Sequence, residues 1–397
     1  MGHPAFTPDC LALDCEAEAT RIAARWKDIV GADLRRKGVV VAISGGIDSA
    51  ACAALAARAF GPSRVFGLML PEADGGGGGT LMDAVLAIEQ IALVCPRSAD
   101  VFQAGNFGAF RTLAEYATPE QKARWFGPLL RGEKIAAVGM TEPDAGSALT
   151  DLKSACTPDG NGYRLNGGKV FTSNTEDAGI VLVYCRFGPG TDGIGSVIVE
   201  RGMEGFRLGA PSRYMNGEDW CALYFDNVFI PPENVLLREG GFRKQIAGFN
   251  VERIGNTARA RALGEYCFAE AKAHAETRAQ FGRKLMEFQG LQWKFAEMAL
   301  KLESAQLLLY RAAVNAEGNL PSAYETSIAK LACNLAGFEV ANDAMQVMGA
   351  YGYSQETLVE YCVKRTRGWM IAGGSIEILK NRIAEAIFDR RFDQRPS

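Results

Sequence analysis

Three blocks of differing periodicity predict an α+β multidomain chain: helical, then β, then helical, with a short β-α-β fragment in front. The spacing of apolar residues is helical up to about residue 134, becomes two near Ile135, and is helical again after residue 238. The length, 397 residues, suggests two to three domains. A hydrophobic fraction of 48% with 22% charged residues supplies a sizeable core and excludes disorder as the main theme.

Composition excludes several function classes. The net charge of −3 leaves no cation excess to neutralise phosphates, so nucleic acid is not an expected partner. The two histidines, His3 and His274, cannot build a histidine-rich metal centre and leave little room for Ser-His-Asp chemistry. Ten cysteines occur without a CxxC pair, so no metal site is expected. No run of eighteen apolar residues exists, and Met1–Asp9 has neither a basic start nor an apolar stretch. These features predict reduced thiols in a cytoplasmic protein, away from membranes.

In chain order, residues 14–37 place Ile22, Ala23, Trp26, Ile29 and Val30 on one helical stripe. Val39–Ile43, the alanine-rich Ser49–Phe60 and Val65–Leu70 read as strand, helix and strand. Five consecutive glycines, Gly75–Gly79, then interrupt regular structure. From Thr80 the helical period resumes, with Leu81, Val85 and Ile88, and later Phe107, Phe110, Leu113 and Tyr116. Thr118 followed by Pro119 and Gln121 is a helix start with a capping box. Short alternating or β-branched runs separated by GNG, GPGTDG and NGED turns predict a barrel or sandwich. Four or five long helical segments follow. The expected domains are 1–72 (fragment), 73–134 (helical), 135–238 (β-barrel) and 239–397 (a C-terminal four-helix bundle).

Five motifs carry a resemblance. MTEPDAGS (140–147), NGGKVFTSN (166–174), TRAQFGRKLMEFQ (277–289), AMQVMGAYGY (344–353) and GGSIEILKNRIAE (373–385) stand in register from Gly67 to Asp393. In this order they resemble the acyl-CoA dehydrogenase family of flavoenzymes. The resemblance implies FAD between the β and C-terminal helical domains, an acyl-CoA substrate, and an electron-transfer flavoprotein as acceptor. It also implies a homotetramer, or at least a homodimer, completing the flavin site.

Residue by residue, the resemblance puts Val138, Met140 and Thr141 against the flavin, with Thr141 as a hydrogen-bond partner. Ser147 would approach the flavin pyrophosphate or the CoA ester; the bland reading of this stretch is a turn between strands. Phe171 and Ser173 stand where the family usually has tryptophan and threonine, keeping a ring and a hydroxyl. Arg278, with Phe281 in the same motif, matches a contact to FAD phosphates across the subunit interface; a solvated surface charge is the alternative. Gln346 and Gly349 match second-subunit contacts to the adenylate, with Ala350 where the family often has a second glycine. Ser375 and Glu377 match positions at the nucleotide end.

The family removes a proton beside the thioester carbonyl while a hydride leaves the next carbon. The usual base is a glutamate in a Glu-Gly-Thr-Ser turn, a position that Gly373 occupies here. Relatives of the isovaleryl-CoA type carry the base on another helix; in GFNVERIGNTA (248–258) that position is Glu252, followed by Arg253 as a substrate contact. Desolvation of such a carboxylate raises its pKa. The bland reading is a surface Glu-Arg pair, worth under about 1 kcal/mol. The Gly373 N–H can still donate to the thioester oxygen.

Residues 10–72 resemble instead the start of ammonia-using NAD synthetase, whose SGGIDS loop, Ser44–Ser49 here, holds pyrophosphate at a helix N-terminus. Two strands and one helix do not form a stable sheet alone, so ATP pyrophosphatase activity is not expected. Three functions are therefore weighed: an FAD-dependent acyl-CoA dehydrogenase, a flavin-binding relative with altered or lost chemistry, and an ATP-pyrophosphatase-type amide ligase.

Overall fold

The computed structural model describes residues 15–28 and 66–392. The strand–helix–strand expected over 39–70 and the SGGIDS loop lie almost wholly outside the described residues. Helix α1 (Cys15–Asp28) covers the first part of the expected stripe and buries Ala23.

The helical N-terminal block consists of α2 (Leu81–Val94), α3 (Pro96–Asn106), α4 (Gly108–Tyr116) and α5 (Pro119–Leu130). Its helix starts are local chemistry. Thr80 accepts from the Asp83 N–H while Asp83 returns a bond to the Thr80 N–H, and Thr118 and Gln121 repeat the arrangement. Gln121 then serves twice, because its amide also donates to the carbonyls of Glu233 and Val235 at 2.9 and 3.0 Å, tying α5 to the β block.

That block is one nine-stranded sheet. Its hydrogen-bonded path runs β6 (Phe206–Leu208), β8 (Asp219–Ile230), β3 (Gly162–Ser173), β2 (Ala155–Asp159), β4 (Ala178–Arg186), β5 (Ile194–Glu200) and β9 (Val235–Leu237). Strand β1 (Ile135–Gly139) adds in parallel to β4, and the short β7 (Ser212–Arg213) adds to β8. Strand β4 shows why its sequence is apolar throughout. Ile180, Leu182 and Tyr184 pack against α4 and α5, whereas Val181, Val183 and Cys185 pack on the opposite face against Leu223, Phe225 and Val228.

The C-terminal block is built around α6 (Gly241–Thr277), joined by a β10–β11 hairpin (Ala279–Gln280, Arg283–Lys284) to α7 (Gln289–Val314) and then α8 (Ala323–Met348). The short α9 (Ala350–Tyr353), then α10 (Val359–Trp369) and α11 (Ile376–Ile387) close it. Helix α6 is buried on every side from Ile254 to Gly264, as a helix surrounded by others must be. Small residues permit this. A Cβ on Gly337 would lie 2.2 Å from the Ala260 carbonyl, so α6 and α8 meet backbone to backbone. One apolar core runs through α2, α3, α6, α7, α8 and α10 and fixes what those helices present to the sheet. Among the described residues, no helix is long and apolar enough to cross a membrane.

Candidate active site

Glu252 lies two residues before the fully buried stretch of α6, and its carboxylate is held from one side. Oε1 accepts from the Gln103 amide at 2.9 Å and from the Asn256 amide at 3.2 Å. Oε2 is buried and accepts no hydrogen bond of full geometry. It faces the break between α3 and α4, where a Cβ on Gly108 would stand 3.5 Å away. Burial pushes the carboxyl above its ordinary pKa, while Gln103, the Arg259 charge, the Gly108 backbone and Asn256 pull it partly back. A surface ion pair with Arg253 is not what forms. Arg253 turns away and donates through Nε to the Gly373 carbonyl at 2.9 Å and through Nη1 to Asn250 at 2.9 Å.

The loop from Trp369 to Gly374 is gripped from below. Lys330 of α8, fully buried, donates to the carbonyls of Trp369 and Ala372 at 2.9 and 3.0 Å. Asn334, one turn on, donates to Trp369 as well. Gly373 and Gly374 take φ values of 74° and 100°, a backbone region that favours glycine. A Cβ on Gly373 would point at Lys330 Cε (3.4 Å) and Asn256 Nδ2 (3.5 Å). With its carbonyl taken by Arg253, the Gly373 N–H has no acceptor among the described residues. Burial and the nearby Arg253 charge pull the Lys330 ammonium down to about 7, with Glu252 opposing them. Sequence reading passed over Lys330, Gln103 and Asn256. No local signal marked Lys330, because its helix also buries the polar Thr326, Ser327 and Asn334.

One edge of the sheet carries aromatic rings beside half-buried hydroxyl groups. Phe171, exposed at φ 56°, packs tilted against Trp220 with ring centroids 4.7 Å apart, and Tyr214 donates to the Phe171 carbonyl at 2.9 Å. Val138, Met140, Thr141 and Ser173 are half-buried, and the Thr141 carbonyl accepts from the Val170 N–H at 2.9 Å. Ser147 lies in an exposed turn. Beneath this motif Glu142 pairs with buried Lys169 at 2.7 Å, fixing the strand ends. The edge is joined to the helices by ion pairs. Arg365 of α10 contacts Glu218 of the β7–β8 turn and Asp100 of α3, and Arg259 of α6 also reaches Asp100, at 2.8 Å. The Arg259 and Arg365 guanidinium groups both lie over the Trp369 ring, at 4.1 and 5.1 Å respectively. The three blocks therefore meet around one tryptophan whose carbonyl Lys330 holds.

The remaining expected residues lie at three helix ends. Arg278 ends α6, and Phe281 is 95% exposed at φ 53° in the hairpin that follows. Gln346 and Gly349 are exposed at the end of α8, and Tyr351 beside them stacks on His274 of α6. Ser375 caps α11, and Glu377 lies exposed in its first turn. At about 1.5 Å rise per residue, Arg278 lies roughly 39 Å along the helix from Glu252.

Comparison with known proteins identifies the pattern. Models described as "Acyl-CoA dehydrogenase" match in three parts: the N-terminal domain at residues 48–133, the middle domain at 137–228 and the C-terminal domain at 239–388. A short-chain specific acyl-CoA dehydrogenase of Clostridium acetobutylicum is 32% identical over 83% of this chain and 89% of its own. A 3-sulfinopropanoyl-CoA desulfinase of Paraburkholderia xenovorans is 31% identical over 84% and 88%. The solved butyryl-CoA dehydrogenase of Megasphaera elsdenii superposes with a TM-score of 0.78 at 28% identity, covering 97% of this chain and 100% of that one. The resemblance of residues 10–72 to NAD synthetase gains no support from these matches, and the N-terminal-domain match begins at residue 48, inside that segment.

Proposed function

The chain belongs to the acyl-CoA dehydrogenase family of FAD-dependent flavoprotein oxidoreductases, and on that premise we propose that it desaturates an acyl-CoA thioester with Glu252 as the base. The observation that carries the reading is the Glu252 carboxylate: buried, fixed through Oε1, with no hydrogen bond of full geometry at Oε2. Relatives named for short-chain substrates make butyryl-CoA the first thioester to try.

The residues present fit a bound FAD. Phe171 offers an exposed ring, Thr141 and Ser173 offer half-buried hydroxyl groups, and Arg278 has no carboxylate partner among the described residues. Phe281 beside it is an aromatic ring held out in solvent. Bound there, FAD supplies the hydride acceptor for the β-carbon. The chain's own work is at the α-carbon. Glu252 Oε2 takes the α-proton, so a C–H bond breaks as an O–H bond forms, and the carbanionic charge spreads onto the thioester oxygen. The Gly373 N–H donates to that oxygen, aimed by Arg253 and Lys330, which hold the flanking carbonyls. Desolvation keeps the carboxylate basic enough for the transfer. An electron-transfer flavoprotein would be the acceptor for the reduced group.

We extend the reading to a homotetramer or homodimer. Trp293, Leu300, Leu307 and Val314 recur every seventh residue on α7 and are 62, 69, 70 and 67% exposed. An apolar seam of that length on a helix suits a second copy, which would also bring Arg278 and Gln346 to another subunit's flavin.

A second reading rests on Gly373. A chain without the loop carboxylate, similar to a relative named as a desulfinase, could carry altered flavin chemistry. One variant separates the two. Glu252→Gln should retain the visible flavin band yet lose bleaching by butyryl-CoA, with turnover lowered about 10²–10⁴-fold. Unchanged turnover would remove Glu252 from the mechanism and favour the second reading.

A further inference from the structure

Gln103 belongs to none of the five motifs, yet it bridges the N-terminal helices to the proposed base. It is 5% exposed, sits on α3, and sends its amide Nε2 to Glu252 Oε1 at 2.9 Å. The Asn256 amide, 1% exposed on α6, converges on the same oxygen at 3.2 Å. Two neutral donors on one carboxylate oxygen leave the other as the basic one, and Oε2 is the buried atom that accepts no hydrogen bond of full geometry. A carboxylate gripped in this way cannot swing, because both donors sit on elements of the common core.

We propose that Gln103 is a positioning residue, which with Asn256 occupies Glu252 Oε1 so that a proton is accepted at Oε2. The proposal rests on the reading of Glu252 as base. It goes beyond that reading in assigning the two oxygens different tasks and giving the N-terminal block a part in setting the basicity. The charged and titratable groups facing this carboxylate are Arg259 on its own helix, Lys330 from α8 and Tyr184 from β4. From α3 the facing group is the neutral Gln103 amide, and from α4 the Gly108 backbone. A donor to the ionised form stabilises it, so removing the donor raises the pKa.

The test is the pH profile of kcat/KM for the FAD-loaded enzyme with butyryl-CoA, paired with an infrared titration of the Glu252 carboxyl in FAD-free protein. Glu252→Gln identifies the band. Gln103→Met should move the acid limb, and the infrared midpoint, upward by about one pH unit. Turnover on the low-pH side should fall about tenfold, while the high-pH plateau changes less than about threefold. Gln103→Glu, which keeps the shape but replaces the donor with a second carboxyl, should move both further the same way. A merely structural Gln103 would lower the plateau and leave both midpoints in place, and that result overturns the inference. If Glu252→Gln remains active, the base reading falls and this proposal with it. If Glu252→Gln is inactive but neither Gln103 variant shifts the midpoints, the proposal alone falls.

Discussion

The two ends of helix α6 make opposite use of one rod. From Ile254 to Gly264 every residue is buried, and the groups around Glu252 find partners on α3, α8 and the Trp369–Gly374 loop. At the other end Arg278 closes the helix and Phe281 projects from the hairpin that follows, both exposed. Roughly 39 Å of helix separates Glu252 from Arg278, too far for both to close on one small cleft. The base end is finished within one chain. The arginine end exposes a cation and a ring, and on the reading proposed above it is unfinished, one half of a site shared between two copies.

The largest effect should follow from attacking the seam that would bring a second copy to that unfinished end. Leu300→Asp with Leu307→Asp places two charges where two leucines would be covered. Losing about 1.5–3 kcal/mol of burial for each weakens association by about 10²–10⁴-fold. Size-exclusion chromatography with light scattering should show a smaller species, and that species should retain less flavin. Unchanged mass with full flavin content would make the exposed end of α6 a plain surface.

The same contrast marks how far sequence carries. The helical–β–helical order was legible because periods of 3.6 and 2 follow from which face is buried, and β4, buried on both faces, showed as an uninterrupted apolar run. The Thr118 capping box was legible because it is local chemistry. Glu252 and Gly373 became candidates through motif register. Their surroundings were not legible. Gln103 lies 149 positions from Glu252, and Lys330 lies 39 from the Trp369 carbonyl it holds. A hydrogen bond across such a span leaves no periodic trace, and a buried lysine in an alanine-rich helix reads locally as a solvated charge. The Arg259–Asp100–Arg365–Glu218 network is hidden for the same reason: four charges from four elements look like surface until the elements pack.

A middle-sized effect belongs to Lys330, the cation beneath the finished end. Its folded pKa is about 7 against an unfolded value near 10.5. Between those two values the unfolded chain binds a proton that the folded chain does not, so this group makes stability rise with pH across the window and opposes folding most at pH 7 and below. Lys330→Met removes that dependence. The difference in unfolding free energy, parent minus variant, should climb from pH 7 to 9 by up to about 1.4 kcal/mol per pH unit. Urea unfolding of both proteins at several pH values measures it, and a difference independent of pH would show that the ammonium keeps its charge against the loop carbonyls.

The smallest effect should come from Gly373 itself, and it sharpens what the loop contributes. A methyl there meets Lys330 Cε at 3.4 Å and Asn256 Nδ2 at 3.5 Å, which is ordinary contact. The cost of Gly373→Ala is therefore mainly the left-handed backbone at φ 74°, about 1–2 kcal/mol. The backbone N–H survives the change, as does the carbonyl that Arg253 holds. Stability should fall by that amount in urea while kcat stays within about threefold of the parent, because an N–H donor rather than a side chain is what this position supplies. A fall in kcat of a hundredfold with stability unchanged would mean that the space over Gly373 must stay empty for substrate, and that the loop contributes room as well as a donor.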